Sequence, residues 1–191
     1  KSLPNLIILH LPHHIDRTYF KDWNLQKKYD IFLFGNISNN FYPFRNRLHK
    51  LLNKNNKFKI LQWKPIRNYF RFKPNISNDK LSKVINQSWL TICTCSKFDL
   101  MLGKYFETSM SKSVVCGNMP TDGKNIWNKD FIELNPKMSD DEILDTIDKA
   151  LQDKKKLIDM ANITYQKMEE FNLDKFSHKL YYFINLNYCV Y

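Results

Sequence analysis

"WLTICTCSKFDLMLGKYFETSMSKSVVCG", residues 89–117, decides the fold. Its two ends, "WLTICTC" (89–95) and "SVVCG" (113–117), are short apolar runs bounded by polar residues, and each reads as a buried strand. Between them a helix is expected to begin near Leu102 or Gly103. Strand, helix, strand in that order is a right-handed crossover between parallel neighbours. The helix is either an ordinary cover for the sheet or one whose first turn grips an anion.

The same alternation continues outward. "YDIFLFG" (29–35), "KILQW" (59–63) and "FIEL" (131–134) read as further strands, several buried on both faces. A helix after Pro43 would bury Phe44, Leu48, Leu51 and Leu52, since proline suits a first helical turn. Another, starting near Asn78, would bury Leu81, Val84 and Ile85. In "SDDEILDTIDKALQD" (139–153), Ser139 and Glu142 form a capping box ahead of the stripe Ile143, Leu144, Ile147, Ala150 and Leu151. A last core helix over about 154–171 would present Leu157, Ile158, Ala161, Thr164, Tyr165 and Met168. The expected fold class is α/β, a Rossmann-like three-layer sandwich with a mostly parallel sheet.

Composition sets the bounds. The 191 residues are 43% hydrophobic and 15% aromatic, enough for one buried domain and too apolar for a disordered chain. The chain starts at Lys1, so residues 1–27 are expected to be an interdomain linker or the end of a missing N-terminal domain. Residues 28–176 would form the Rossmann-like domain and 177–191 a helical extension. The net charge of +11 admits nucleic acid, membrane headgroups or phosphorylated small molecules. Lys154, Lys155 and Lys156 lie near Asp153 and Asp159, as on a solvated helix face, whereas basic residues are denser between Lys27 and Lys83.

Cys93, Cys95, Cys116 and Cys189 fit no zinc spacing and read as buried thiols of a reducing compartment. No run approaches the roughly 18 apolar residues of a membrane span, and no signal peptide is evident. A soluble, cytoplasmic protein is expected.

In open parallel sheets ligands bind beyond the carboxyl ends of the strands. The residues that follow the strands are Gly35, Asn36, Ser38 and Asn39, then Lys64, then Thr94, Ser96 and Lys97, then Gly117 and Asn118. Loops are polar in any case. The helix that starts near Gly103 adds free N–H groups, and Lys104 adds a positive charge at the same end. Glu107, one turn on, is suited to accept hydrogen bonds from a vicinal diol such as a ribose. Asp99 precedes the helix, free to meet a second hydroxylated group. The plainer alternative is that Glu107 pairs with a surface lysine and Asp99 caps the helix.

With these residues in place, the span from about 29 to 176 resembles the C-terminal, donor-binding domain of GT-B glycosyltransferases, a group that includes spore-maturation-protein-like and glycogen-synthase-like enzymes. Those proteins carry an E-x7-E motif before a small-residue helix and a "PVV"-like strand. Here Asp99 and Glu107 stand at that spacing, followed by "TSMSKSVVCGNMP". "KYFE" (104–107) is similar to the R-x-F-E of the spore-maturation branch, and the Asn- and Lys-rich style looks like glycosyltransferases of large DNA viruses, which would place the protein in host cytoplasm.

The resemblance implies a C-terminal GT-B half that binds a nucleoside-diphosphate sugar. Glu107 would hold the ribose, Lys104 with Arg45 or Arg47 of "YPFRNR" the diphosphate, and Asp99 the transferred sugar. Lys104 and Asp99 are the catalytic candidates. Gly35, Asn36, Lys64, Thr108, Gly117 and Asn118 complete the expected binding set. The donor would carry UDP or dTDP in preference to GDP, with no cofactor and no essential metal, and the acceptor would be a glycan or protein. A missing N-terminal domain would supply the other wall.

Two departures stand out: the first acidic position is Asp, and the usual Gly-rich turn is reduced to "GNISNN" (35–40). "HLPHHID" holds His10, His13 and His14 around Pro12 at irregular spacing and reads as the interdomain crossover. The basic aromatic stretch "IRNYFRFK" (66–73) has no assigned role. Two rival classes remain: a nucleic-acid-binding module using Tyr69, Phe70 and Phe72 beside Arg67 and Arg71, and a non-catalytic Rossmann-like interaction domain. A buried parallel sheet offers no open aromatic face, so nucleic acid is not the expected partner.

Overall fold

The structure, a computed structural model, describes residues 7–9, 11–63 and 77–188. Five strands form one sheet: β1 (Tyr29–Phe34), β2 (Ile60–Trp63), β3 (Ser88–Ile92), β4 (Val114–Gly117) and β5 (Ile132–Glu133). Their order is β2-β1-β3-β4-β5 and every pair is parallel. The helices are α1 (Pro43–Asn53), α2 (Asn78–Asn86), α3 (Gly103–Met110), α4 (Lys124–Trp127), α5 (Asp140–Gln152), α6 (Lys154–Lys167) and α7 (Leu173–Tyr188). This is the expected Rossmann-like α/β sandwich.

Side chains alternate across the sheet with the two-residue strand period. Ile31, Leu33, Leu90, Ile92, Val114 and Cys116 point to one face, where α1, α5 and the first half of α6 bring Phe44, Leu48, Leu52, Ile143, Ile147, Leu151, Leu157 and Ala161. Phe32, Cys93 and Val115 point to the other, under Ile85 of α2, Tyr105, Phe106 and Met110 of α3 and Trp127. Helix α6 starts in the first core and ends in the second, where Tyr165 packs and Met168 is buried in the 3-10 turn that follows (Met168–Phe171). Ile158 was expected in its stripe but is 49% exposed, because Leu157 and Ala161 take the contact line.

Helix starts follow local chemistry. Ser139 Oγ accepts from the Glu142 N–H while the Glu142 carboxylate accepts from the Ser139 N–H, the expected capping box. Pro43 opens α1, and Ser77 caps α2. The chain before β1 packs along the domain: the Trp23 indole donates to Ser82, the Leu25 N–H to Asn86, and Lys27 Nζ to the carbonyls of Ser88 and Lys112. Ile15 forms an isolated bridge with Asn172, just ahead of α7.

One feature of the topology positions the site. After β1 the chain moves outward to β2, then returns to build β3 on the opposite side of β1. The connections leaving β1 and β3 therefore start toward opposite sides of the sheet, and a crevice is expected at the carboxyl ends of these strands, the switch point at which such sheets bind ligands.

Candidate functional site

At this switch point two buried basic side chains, Arg45 and Lys104, come together. At the end of β1 the chain turns at Gly35, whose φ of +98° suits glycine. A Cβ on Gly35 would lie 3.2 Å from Arg45 Nη1, a tight contact, and 3.9 Å from Lys104 Nζ, an ordinary one, so both nitrogens stand beside this turn. Arg45, in the first turn of α1, is 3% exposed. It donates from Nε to Thr94 Oγ1 (3.0 Å), from Nη2 to the Thr94 carbonyl (2.8 Å) and from Nη1 to the Asn36 carbonyl (3.0 Å), and it stacks 4.1 Å from the Tyr42 ring centre. Arg45 thereby ties the β1 loop to the β3 loop.

Lys104 is the second residue of α3 and is 7% exposed. Its Nζ donates to the Phe34 carbonyl at 3.0 Å and lies 4.2 Å from the Phe34 ring centre. Burial, and then the nearby Arg45 guanidinium, pull its pKa down to about 7 against the weaker opposing pull of Cys93 and Glu107. Glu107 stands one turn further along α3; burial raises its pKa while Lys104 holds it down. Gly103, at the α3 start, lies beside it: a Cβ there would be 3.6 Å from Glu107 Oε1, an ordinary contact distance. Among the described residues no carboxylate comes within 4.0 Å of Arg45 or Lys104. Two desolvated cations beside free helix N–H groups make a place for an anion.

Asp99 lies on the rim with a left-handed backbone, φ +56°. Its carboxylate accepts from the Thr121 N–H (3.1 Å) and hydroxyl (2.6 Å), which lowers its pKa. It therefore caps the turn after β4 (Thr121–Gly123), and not α3, whose cap position is Leu102.

Three expected binding residues turn out to have other tasks. Arg47 points away: it donates to Asp140 and to the carbonyls of Pro136 and Met138, anchoring the start of α5, so Arg45 is the arginine of the crevice. Thr108 is fully buried against Cys93 Sγ, 3.3 Å away, with no surface left for a ligand. Gly117 is also buried, and a Cβ there would fall 1.8 Å from the Cys93 carbonyl oxygen; it permits close approach of backbones. Asn118 is half-buried, donating to Cys95 Sγ while its carbonyl accepts from Tyr105 Oη at 2.6 Å. Cys93, Cys95 and Cys116 are buried free thiols. Lys64, His10, Cys189 and the stretch 66–73 lie outside the described residues.

The Phe34 carbonyl and ring and the Tyr42 ring are parts of the site that the sequence did not flag. A carbonyl carries no sequence signal, and an aromatic at a strand end reads as core. His13 of the histidine segment meets the Met101 carbonyl at 3.1 Å, and the His14 ring packs 4.3 Å from Phe176. They border a cavity of about 560 Å³ with Leu100, Met101 and Phe171, beside the approach to α3. Among the described residues, no three His, Cys, Asp or Glu side chains gather as a metal-binding group, and no helix is long and apolar enough to cross a membrane.

No protein-family model and no curated protein matches the sequence. The fold, however, recurs in solved structures. Sucrose-phosphate synthase from Thermosynechococcus elongatus is similar with a TM-score of 0.65 and 10% identity, over 92% of this chain and 51% of that one. The pneumococcal O-GlcNAc transferase GtfA, solved with UDP and GlcNAc, gives 0.62 and 12%, over 95% and 40%. An alpha1,3-fucosyltransferase gives 0.52 and 16%, over 84% and 45%. The chain thus spans about half the length, or less, of these structures, and at such identities the likeness is one of fold: the Rossmann-like half of a GT-B architecture.

Proposed function

We propose that this chain is the donor-binding half of a glycosyltransferase that uses a nucleoside-diphosphate sugar. The observation that carries the reading is the pair of buried basic side chains, Arg45 and Lys104, without a carboxylate partner among the described residues at the switch point of the sheet. The diphosphate lies against Arg45, Lys104 and the N-terminus of α3. Glu107 accepts the ribose hydroxyls, and Asp99 and Asn36 border the transferred sugar. Charge developing on the departing diphosphate is met by the two cations and the helix N–H groups, which are in position before the reaction begins. Transfer is on this reading metal-independent, to a glycan or protein acceptor held by a second domain. UDP and dTDP sugars are preferred over GDP sugars.

Calorimetric titration with UDP, dTDP and GDP and their sugars tests this. One base should bind, and Arg45→Ala and Glu107→Ala should each weaken it by about 1–3 kcal/mol, the range for losing a hydrogen bond to a charged group. Affinity unchanged by EDTA is expected. Failure of every nucleotide to bind, or binding of single-stranded nucleic acid with a steep salt dependence instead, overturns the reading.

A further inference from the structure

We infer that above neutral pH Lys104 stands largely without its proton in the ligand-free domain and takes one up from solvent as the anion enters, so that on the alkaline side diphosphate binding and protonation of this amine are a single coupled event. The inference rests on the donor-site reading and adds a property that the reading does not require, because a cation charged from the start would bind a diphosphate equally well.

The geometry carries it. An ammonium has three N–H donors, yet Lys104 Nζ meets one acceptor among the described residues, the Phe34 carbonyl. Charged, it would carry two N–H groups that meet no protein acceptor among the described residues; neutral, it makes the same single bond with one N–H. Its nearest charged neighbour from another element is a second cation, Arg45, which does not release its proton. The two nitrogens flank one point, 3.2 and 3.9 Å from where a Gly35 Cβ would be. When two buried cations share a space without a carboxylate in contact, the one able to lose its proton does so.

The other groups that face the amine do not change this outcome. Cys93, at the end of β3, has its pKa raised by burial and is a neutral thiol. Glu107, on the same helix, favours the charged amine from beyond ion-pair distance and is itself held toward the neutral acid by burial. The Phe34 ring face also favours the ammonium. The balance of these influences leaves Lys104 titrating at about 7 in the empty domain. A phosphate oxygen supplies the missing acceptor and the opposite charge together. The amine lone pair then takes a proton from the buffer, RNH2 + H+ → RNH3+, and returns it on release. The crevice thereby avoids holding two uncompensated charges while empty.

The test is titration calorimetry of the intact chain with UDP-glucose, dTDP-glucose and GDP-mannose, whose phosphates stay ionised throughout the neutral range. Each is measured in two non-phosphate buffers of different ionisation enthalpy, from about pH 6 to about pH 9. The bound sugar nucleotide should take up close to one proton above about pH 8 and almost none at the acid end, with affinity falling by about tenfold per pH unit on the alkaline side. Lys104→Arg, whose guanidinium does not titrate, should bind with no proton uptake and a flat pH profile. Binding by the unaltered chain without uptake overturns this inference and leaves the donor-site reading standing. Uptake that persists in Lys104→Arg overturns it as well, by assigning the proton elsewhere. Binding of none of the three removes the donor-site reading and this inference with it. If Lys104→Arg does not fold, the proton count and pH slope of the unaltered chain decide alone.

Discussion

Single residues at this site work through what they lack as much as through what they carry. Gly35 takes a left-handed turn beside Arg45 and Lys104, and Gly117 lets the end of β4 lie directly against the backbone of Cys93. At Gly117 the φ of +152° and a Cβ position 1.8 Å from the Cys93 carbonyl oxygen leave no room for adjustment, because the obstacle is backbone. Gly117→Ala should therefore destabilise the domain by about 3 kcal/mol or more, read as a lower urea midpoint. A change under about 1 kcal/mol would mean that the strand ends can separate without loss.

Neighbouring arginines of one helix are divided between two elements. Arg45 and Arg47 are two positions apart on α1, about 200° around a helix, so they face different sides. Arg45 reaches the crevice; Arg47 reaches the start of α5, where it donates to Asp140 and to two carbonyls. Arg47→Ala should cost about 1 kcal/mol of stability, the scale of one net hydrogen bond at a half-exposed site, and leave nucleotide affinity within about twofold. Arg45→Ala should lower nucleotide affinity. Parallel urea and calorimetric titrations of the two variants separate the roles; an Arg47→Ala loss of affinity matching that of Arg45→Ala would refute the division.

Across the whole molecule, one buried and one half-buried lysine make stability depend on pH in an unusual direction. Burial lowers the pKa of Lys104 to about 7 and that of Lys27 to about 8, against 10.5 for an ordinary lysine. Between those values and 10.5 the unfolded chain holds protons that the folded chain has released, so stability rises with pH through that window. The penalty of charging each amine is fully present below its folded pKa. Urea midpoints should climb from about pH 7 to about pH 9, and Lys104→Met should flatten much of the climb. A midpoint that falls over that range would contradict the desolvation of these two amines.

Much of this architecture was legible beforehand because it depends on neighbours in the chain. The apolar runs at 29–35, 89–95 and 113–117 marked strands, Pro43 and the Ser139–Glu142 box marked helix starts, and their alternation required a parallel sheet. The start of α3 at Gly103, with Lys104 and Glu107 behind it, was equally local. What the sequence could not separate was Arg45 from Arg47, or a ligand-facing Thr108 and Gly117 from buried ones. Those assignments depend on contacts with Thr94, Asp140 and Cys93, dozens of residues away or across the sheet, and on which loops the strand order brings together. Local chemistry thus determined the elements and the first turn of α3, while only the tertiary packing decided which polar groups lost their water, and it is that desolvation that makes Lys104 and Arg45 a candidate site.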